Sequence, residues 1–401
     1  MNLTGKTIVL GVSSSIAIYK SPNIVSLLKK LGANVHVILT ENAAKMMSPI
    51  VFESISGNRC VVDTFDTNYQ WKIKHIALAK VADAFVVAPA TANVIAKMAH
   101  GICDDMLTTT LFASICPKIV APAMNVNMYN NPINTENMDK LKSLGFDFVD
   151  SVEGMLACGD VGKGKLAPET AIVDAVVRAI GHEKDLTGKR VLVSAGATVE
   201  AIDPVRFITN HSTGKMGFAV AQAARYRGAD VTLVLGENRL SESEIYGMKT
   251  MKVGSAVQMS DVMLEYLGSS DIVVMAAAVS DYRAKDVAEN KIKKSDRDGF
   301  SLELVQNPDI LSLIGSQKRD DQVVCGFAME TENLLENAKD KLLRKNCDMI
   351  VANDLTVDGA GFAVDTNVAV FVTKDDIEEQ SIMTKTELAD RILDRLVGFL
   401  D

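Results

Sequence analysis

The sequence predicts an α/β protein with parallel sheets that are covered by helices on both faces. Short, continuous apolar stretches alternate with amphipathic helical stretches along the chain, which is the pattern of doubly wound parallel sheets. The chain has 401 residues, enough for about two or three domains. The tetrapeptide Leu-Thr-Gly-Lys occurs at residues 3–6 and again at 186–189, each time before a strand-like stretch. We therefore expect two α/β domains in tandem.

The first domain opens with a predicted β-α-β unit. Its helix is expected over residues 16–31, because apolar residues recur there at helical spacing and the stretch ends at Gly32. Short apolar runs predict the strands, at residues 7–10, 35–39, 84–88 and 118–121. Since parallel sheets bind ligands beyond the carboxyl ends of their strands, the loops after these strands are the candidate site.

A second domain is predicted from residue 186 onward. Residues 171–180 indicate the last helix of the first domain, and the polar stretch 181–185 is the best linker candidate. Strands are predicted at residues 191–194, 231–235, 272–276, 323–327 and 349–352, and helices at 217–227 and 331–345. The charged stretch 281–298 predicts an exposed flap, although most such runs are ordinary solvated surface.

Charge and cysteine content narrow the function. The chain carries 42 basic and 51 acidic residues, a net charge of −9, which disfavours nucleic-acid binding. Its six cysteines lack the spacing of a zinc site, so we expect reduced thiols in a cytoplasmic protein. No apolar segment is long enough to cross a bilayer, and no targeting signal or membrane partner is expected.

Polar residues follow several predicted strands of the first domain. Residues 13–15 are serines at the mouth of the first helix, where hydroxyls suit a phosphate and are equally typical of an N-cap. Residues 88–93 and 121–128 each end a strand with proline and then offer amides, which also satisfy local turns. Four glycines surround Cys158 in residues 154–165. That composition suits a mobile lid, although a lone cysteine is usually inert.

These loops, with His75 ahead of an apolar helical stretch, resemble the flavin-dependent phosphopantothenoylcysteine decarboxylases over residues 6–180. The resemblance is carried by the serine turn, His75, the Pro-Ala-Ser-Ala-Asn-Thr and Pro-x-Met-Asn-x-x-Met-Trp motifs of the family, and the Cys-Gly lid. Thr91 and Val94 stand where the family has serine and threonine, and Tyr129 replaces its tryptophan. The resemblance implies a flavodoxin-like sheet and FMN as cofactor.

The same resemblance implies roles for individual residues. Cys158 is the expected proton donor, His75 the expected base, and Asn125 the group that holds the substrate carboxylate. In this family FMN oxidises the carbon beside sulfur, which supplies the electron sink that loss of CO2 requires. The residues expected to contact FMN are Ser13, Ser15 and Thr40.

The densest motif of the second domain is residues 203–217, a polar, glycine-containing entry to a helix that suits a phosphate but lacks P-loop spacing. Further motifs follow at residues 276–282, 290–294, 307–310, 325–328 and 341–345. Taken singly, Asn307-Pro308 is an ordinary turn and Lys341 an ordinary solvated lysine. Together they resemble phosphopantothenate-cysteine ligase, a Rossmann-like domain, over residues 186–401. Thr213 stands where that family often has serine.

The ligase resemblance implies that CTP activates the carboxylate of 4'-phosphopantothenate as an acyl-cytidylate, which the amine of cysteine then attacks. Lys291 is expected to stabilise charge during nucleotidyl transfer, and Asn210 to hydrogen-bond the acyl intermediate. Mg2+ is expected on the triphosphate; its protein ligands cannot be named from the sequence. The expected nucleotide contacts are Asp281, Asn307, Pro308, Asp309, Ile310, Phe327, Lys341 and Lys345.

The two resemblances match, in order, the fused bifunctional enzymes of coenzyme A biosynthesis. We expect residues 1–185 to be the decarboxylase domain and 186–401 the ligase domain. Two alternatives remain: a chain with one active domain, and a flavin-binding regulatory subunit. The presence of His75, Asn125 and Cys158 argues against the regulatory subunit. The family implies a homo-oligomer built from decarboxylase trimers and ligase dimers, with a dodecamer as the natural size.

Overall fold

The computed structural model describes residues 3–64, 74–156, 159–293, 301–330, 333–354 and 364–400. The chain forms two compact units, Met1–Glu183 and Lys184–Asp401. Each unit has its own apolar core of buried strands and helix faces. Among the described residues, no helix is long and apolar enough to cross a membrane.

The first unit is a three-layer α/β structure. Its strands are β1 (Thr7–Val12), β2 (Asn34–Leu39), β3 (Ala84–Ala90), β4 (Lys118–Pro122), β5 (Asp147–Phe148), β6 (Val152–Met155) and β7 (Val161–Lys165). Its helices are α1 (Ser21–Lys30), α2 (Glu41–Met46), α3 (Pro49–Ser56), α4 (Lys74–Val81), α5 (Ala92–His100), α6 (Met106–Ala113), α7 (Val126–Tyr129), α8 (Pro132–Ser143) and α9 (Glu169–Ile180), with a 3-10 helix over Ile16–Lys20.

The main sheet of the first unit has the strand order β2-β1-β3-β4-β5 and is parallel throughout. Strands β1 and β3 are almost completely buried, as expected for a sheet that is covered on both faces. The strand order reverses between β1 and β3, the point where doubly wound sheets bind their ligands. The predicted α/β fold class is confirmed.

The structure adds detail to two local predictions for the first unit. The helix predicted at residues 16–31 is divided into the 3-10 helix and α1, because Pro22 lacks an N–H and is accommodated in the first turn of α1. The glycine-rich segment predicted as a lid is an antiparallel hairpin of β6 and β7. A hairpin satisfies most backbone groups of the segment without needing a buried apolar face.

The second unit has a larger sheet. Its strands are β8 (Arg190–Ala195), β9 (Val199–Ala201), β10 (Phe207–Thr209), β11 (Asp230–Leu235), β12 (Lys249–Lys252), β13 (Ile272–Met275), β14 (Tyr282–Ala284), β15 (Leu304–Gln306), β16 (Val323–Glu330), β17 (Met349–Asp354), β18 (Thr366–Asn367), β19 (Ala369–Val372), β20 (Ile377–Glu379) and β21 (Met383–Thr384). Its helices are α10 (Lys215–Tyr226), α11 (Ala256–Leu267), α12 (Ile310–Gln317), α13 (Leu334–Arg344) and α14 (Lys385–Val397).

The strand order of this sheet is β12-β11-β8-β13-β16-β17-β19-β20. The first six strands are parallel and the last two are antiparallel. The parallel part has the Rossmann order, with its reversal between β8 and β13. At Gly217 an added Cβ would lie 2.6 Å from the Cβ of Ala195. Glycine therefore allows α10 to pack closely on β8.

Two antiparallel hairpins extend beyond the main sheet of the second unit. Strand β9 pairs with β10, and β14 pairs with β15. Residues 285–293, which follow β14, are mostly exposed, as expected for the predicted flap. Lys294 and Arg297, which the sequence placed in the same flap, lie outside the described residues.

Candidate active sites

A cleft of about 580 Å³ opens beside the loops that follow β1, β3 and β4 of the first unit. Its wall is largely apolar and includes several polar side chains. The lining residues are Ser14, Ser15, Ile16, Ala17, Tyr19, Lys20, Thr91, Ala123, Met124, Asn125, Met128, Met155, Leu156, Gly164, Lys165 and Leu166. The cleft therefore lies where the reversal of strand order predicts a ligand site.

The serine turn contributes to this cleft unequally. Ser15 lines the cleft and caps the 3-10 helix by accepting a hydrogen bond from the Ala17 amide at 3.4 Å. Ser13 is buried beneath the cleft, and its hydroxyl donates to the carbonyl of Pro89 at 2.8 Å. The Ser13 hydroxyl also accepts from the Thr91 amide at 3.0 Å. Ser13 thus connects the loop after β1 to the loop after β3.

Thr40 lies after β2, at the same edge of the sheet. Its hydroxyl accepts a hydrogen bond from the Ala43 amide at 3.2 Å and so caps α2. Thr40 is not among the described residues that line the cleft. In the structure Thr40 acts as a helix cap, and its expected contact with FMN stays a prediction.

Asn125 brings the cleft and the glycine-rich hairpin together. Its side-chain oxygen accepts from the Asn127 amide, and its amide group donates to the Asp160 carboxylate, both at 2.8 Å. The hairpin also lies against the chain at Met124, whose amide donates to the carbonyl of Gly164 at 3.0 Å. An added Cβ at Gly164 would lie 2.4 Å from the carbonyl oxygen of Met124, so only glycine fits there.

Tyr129, which replaces the tryptophan of the resembled family, retains an aromatic contact with the hairpin. The ammonium of Lys163 lies 5.4 Å from the centre of its ring, within the range of a cation–π interaction. Burial raises the pKa of the Tyr129 hydroxyl. The ring therefore remains a neutral surface for the hairpin at neutral pH.

Two predicted catalytic residues of the first unit are not seen in this cleft. His75 is half-buried near the start of α4 and is not among the described residues of the cleft wall. Cys158 lies outside the described residues. Their predicted roles as base and proton donor stay predictions.

The residues of this cleft fit a flavin. Its wall includes Ile16 and Met155, whose exposed fractions are 63% and 71%. Such exposed apolar surface suits a flat aromatic ring system. The hydroxyls of Ser14 and Ser15 in the cleft wall suit a phosphate group.

The second unit contains a cavity of about 610 Å³ beyond the carboxyl ends of β13 and β16. All eight predicted nucleotide contacts line it, although they come from four separate motifs: Asp281, Asn307, Pro308, Asp309, Ile310, Phe327, Lys341 and Lys345. Met275, Ala277, Val279, Ser280, Tyr282, Gln306, Leu311, Asn337, Asp340 and Arg344 complete the wall.

The charged end of this cavity lies between α12 and α13. Asp309 caps α12 by accepting from the Ser312 amide at 3.0 Å, and its other carboxylate oxygen accepts a hydrogen bond from the ammonium of Lys345. Burial opposes ionisation of Asp309, but these hydrogen bonds and the positive charges of Lys345 and Lys341 lower its pKa. The ammonium of Lys341 donates to the carbonyl of Phe327 at 2.8 Å.

Asn307 organises the opposite wall of the cavity. Its amide group donates to the carbonyl of Ser280 at 2.8 Å, and its side-chain oxygen accepts from the guanidinium of Arg283 at 3.0 Å. The Asn307 backbone amide donates to the carbonyl of Asp281 at 2.8 Å. The side-chain hydroxyl of Ser280 is buried and makes no hydrogen bond to the described residues.

A second cavity of about 430 Å³ adjoins the first, since Ala277, Val279, Phe327 and Lys341 line both. It contains the predicted residue Asn210, whose amide group donates to the carbonyl of Ala278 at 3.3 Å. The other residues of its wall are His211, Ser212, Thr213, Gly214, Lys215, Met216, Gly217, Ala276, Ala278, Met329, Asn353, Asn367 and Lys385.

The far end of this second cavity is positively charged. It contains the N-terminus of α10 and the ammonium groups of Lys215 and Lys385. Lys215 pairs with Asp365 at 2.6 Å, and Lys385 donates to the carbonyl of Val364 at 2.6 Å. Burial and the charge of Lys215 lower the pKa of Lys385. An anion at this end would offset both effects.

Lys291, the remaining predicted catalytic residue, is exposed in the segment after β14. It is not among the described residues that line either cavity. The adjacent Ile292 amide donates to the buried carboxylate of Asp203 at 3.1 Å. The structure therefore places Lys291 beside the β9–β10 turn.

The described residues contain no group of three or more His, Cys, Asp or Glu side chains that could hold a metal ion. Several residues of the cavity walls were missed from the sequence. Asn337 and Arg344 could have been found, because they lie on α13 at helical spacing from Lys341 and Lys345. Lys385 and Asn353 carry no such signal, since the fold brings them in from distant segments.

The fold and the sites define a two-domain α/β enzyme with one candidate active site in each unit. The family model described as "Flavoprotein" matches residues 1–181. The model described as "DNA/pantothenate metabolism flavoprotein C-terminal domain" matches residues 186–399.

The chain is similar to curated proteins along nearly its full length. The "Coenzyme A biosynthesis bifunctional protein CoaBC" of Bacillus subtilis (strain 168) is 44% identical over 399 residues, 99% of this chain and 98% of that protein. The protein of the same description from Haemophilus influenzae is 41% identical over 397 residues, 99% of this chain and 98% of that protein. A crystal structure of the C-terminal domain of a CoaBC protein is 38% identical, with a TM-score of 0.46, and covers 54% of this chain and 98% of that chain.

The chain therefore belongs to the family of bifunctional coenzyme A biosynthesis proteins. It is an enzyme of coenzyme A biosynthesis with a decarboxylase and a ligase activity, as the sequence predicted. The alternatives of a regulatory subunit and of a single active domain are not supported. The flavoprotein character predicted for the first part of the chain is confirmed.

Proposed function

We propose that residues 186–401 join 4'-phosphopantothenate to cysteine with CTP, and that residues 1–185 decarboxylate the product with FMN to give 4'-phosphopantetheine. One observation carries the proposal most strongly: eight residues from four separate motifs line one cavity, and that cavity shares four wall residues with the cavity of Asn210. A ligase that couples a nucleotide to an acyl substrate needs two adjoining sites of this kind.

In the second unit, the first cavity would hold CTP. Lys341 and Lys345 would bind its phosphates, because ammonium groups make charge-assisted hydrogen bonds to phosphate oxygens. Asp309 already holds the Lys345 ammonium at the cavity. Lys341 lines both cavities, so it would lie close to the α-phosphate at which the acyl-cytidylate forms and pyrophosphate leaves.

The second cavity would hold 4'-phosphopantothenate. Its phosphate suits the end formed by the N-terminus of α10, Lys215 and Lys385. The carboxylate of the substrate would then point toward the wall that the two cavities share. Asn210 would hydrogen-bond the acyl group while the amine of cysteine displaces CMP. Lys291 would stabilise negative charge on the reacting phosphate, reaching it from the segment after β14.

Mg2+ would bind with the triphosphate of CTP. This ion keeps several waters and takes phosphate oxygens as ligands, so it does not require a cluster of protein carboxylates. The choice of CTP over ATP is proposed on the resemblance to the fused enzymes.

In the first unit, Asn125 would bind the carboxylate of 4'-phosphopantothenoylcysteine. Bound FMN would supply the two-electron oxidation that makes loss of CO2 possible. Ser14 and Ser15 would hold the flavin phosphate, while Ser13, through its bonds to Pro89 and Thr91, would position their loop. The β6–β7 hairpin would cover the substrate and exclude water.

The remaining residues of the first site would come together in a homo-oligomer. His75 is not among the described residues of the cleft wall, and its proposed role as base would be exercised at the cleft of a neighbouring copy. Decarboxylase trimers and ligase dimers, closed into a dodecamer, would supply such a neighbouring copy. Cys158, in the glycine-rich segment 154–165 of the sequence, would donate the proton when the ene-thiol left by loss of CO2 is reduced to 4'-phosphopantetheine, a reduction for which the flavin would return the two electrons.

The experiment is product analysis by mass spectrometry. Purified, FMN-loaded protein is incubated with 4'-phosphopantothenate, cysteine and Mg2+, in parallel with CTP and with ATP. We expect 4'-phosphopantetheine and CMP with CTP. Accumulation of 4'-phosphopantothenoylcysteine would contradict the role proposed for the first unit, and conversion with ATP alone would contradict the choice of CTP.

A further inference from the structure

We propose that Asp203 is a positioning residue for nucleotidyl transfer, because its buried carboxylate fastens the backbone beside Lys291 to the β9–β10 turn. The proposal rests on the role proposed above for Lys291. Asp203 itself is not among the described residues of either cavity wall. Its effect on the reaction would therefore pass through Lys291.

The carboxylate of Asp203 has no exposed surface and accepts four hydrogen bonds. Oδ1 accepts from the amides of Val205 and Arg206, each at 2.8 Å. Oδ2 accepts from the guanidinium of Arg206 at 3.3 Å and from the amide of Ile292 at 3.1 Å. Burial opposes ionisation, but these bonds and the charge of Arg206 lower the pKa of Asp203. At neutral pH the group is a carboxylate, which only accepts hydrogen bonds.

The two oxygens divide their contacts between the turn and the distant segment. The bonds to Oδ1 stay within the turn, whereas the bond from Ile292 to Oδ2 joins residues 89 positions apart. A second bond, from the Ala288 amide to the Ile202 carbonyl at 3.0 Å, fastens the same segment. Lys291 lies between these two attachment points. Its backbone is therefore held on both sides while its side chain is exposed.

This arrangement suits a lysine that must reach a reacting phosphate. A cation stabilises developing charge best when its position is fixed before the reaction. The β9–β10 hairpin also leads directly to Asn210. Asp203 is therefore connected both to Lys291 and, through β10, to Asn210, and the variants below distinguish an effect on Lys291 from an effect on Asn210.

Asp203→Asn is the sharpest variant. Asparagine retains one oxygen to accept from the turn amides and replaces the other by an NH2 group, which donates and does not accept from Ile292. We expect the rate of pyrophosphate release in a single turnover without cysteine to fall about tenfold or more. The Kd for 4'-phosphopantothenate should change little, whereas the melting temperature should fall by a few degrees, because the Ile292 amide loses its buried acceptor. Lys293→Ala, an exposed lysine in the same segment, is the matched control.

A double-mutant cycle with Lys291→Gln identifies the route. If Asp203 acts through Lys291, Asp203→Asn should cost nothing further in the Lys291→Gln background. Hydrogen exchange should also show faster exchange in the peptide that contains Ile292. Ile292→Pro, which removes the donor N–H and leaves Asp203 intact, should reproduce the slow pyrophosphate release and remains informative where Asp203→Asn does not fold.

The outcomes are distinct. A normal rate in Asp203→Asn or in Ile292→Pro would overturn the proposal. An equal loss from Asp203→Asn in both backgrounds would assign its effect to the turn and Asn210, and would also overturn it. A normal rate in Lys291→Gln would contradict the role of Lys291 itself and, with it, the function proposed for this segment.

Discussion

Replacing Lys345 by methionine should weaken binding of CTP while leaving the fold intact. The ammonium of Lys345 lies at the cavity wall with a side-chain exposure of 11%, where it pairs with Asp309. Methionine retains most of the apolar stem and removes the charge. A hydrogen bond to a charged group contributes about 1.5–3 kcal/mol, which corresponds to about a 10- to 150-fold increase in the Kd for CTP.

The same change should have little effect on stability. The Asp309 side chain is 53% exposed, so water can solvate it once Lys345 is gone. Pairs of this kind contribute about 1 kcal/mol or less to the free energy of unfolding. Freed of its partner, Asp309 would also repel the phosphates, which adds to the loss of CTP affinity.

Isothermal titration with CTP and Mg2+ measures the change in affinity, and urea unfolding measures stability. Lys339→Met is the matched control, since Lys339 lies on α13, the helix that Lys345 directly follows. Lys339 is exposed and is not among the described residues that line the cavity. A Kd within twofold of the wild-type value would refute the assignment of this cavity to CTP, as would an equal loss in Lys339→Met.

Three further predictions concern other parts of the chain. Lys385→Met should raise the KM for 4'-phosphopantothenate about tenfold with the KM for CTP unchanged; steady-state kinetics with each substrate varied would show whether Lys385 binds the phosphate. Gly164→Ala should destabilise the protein by about 1–3 kcal/mol in urea unfolding, because its Cβ would clash with Met124 at a backbone φ of +147°; unchanged unfolding would contradict the close approach of the hairpin. A hydrogen bond from Arg227 lowers the pKa of Asp185, so the stabilisation by this pair is present above the ordinary carboxyl pKa and is lost as pH falls through the lower pKa of the folded state. Asp185→Asn should therefore lower the free energy of unfolding at pH 7 and change it little near pH 2. A loss of the same size at both pH values would rule out the ion pair as its source.

Elements with strong local signals were predictable from the sequence. Buried strands such as β1 and β13 are continuous apolar runs bounded by turns, and that pattern depends little on the rest of the fold. Strands β12 and β20 were not predicted, because edge strands with exposed, charged residues lack such a pattern. That the eight predicted nucleotide contacts share one cavity was predictable because their motifs follow strand ends, and parallel strands bring those ends to one edge.

The limits of prediction are clearest at hydroxyl residues. Ser13, Ser15 and Thr40 all follow strands, and the sequence alone assigns them the same role. In the structure Ser15 lines the cleft, Thr40 caps α2, and Ser13 bonds to Pro89, a residue 76 positions away. Which partner a hydroxyl takes is decided by tertiary contacts that local sequence does not encode.

The two candidate sites differ in how complete they are within one chain. The cavity of the second unit has its own cations, its own capped helix and hydrogen-bonded walls, and all eight predicted nucleotide contacts line it within one chain. The cleft of the first unit instead exposes Ile16, Tyr19 and Met155, with fractions of 63%, 64% and 71%. Exposed apolar side chains clustered at one cleft favour burial against a ligand and a second surface. This exposed apolar surface agrees with the proposal that another copy of the first unit completes the flavin site.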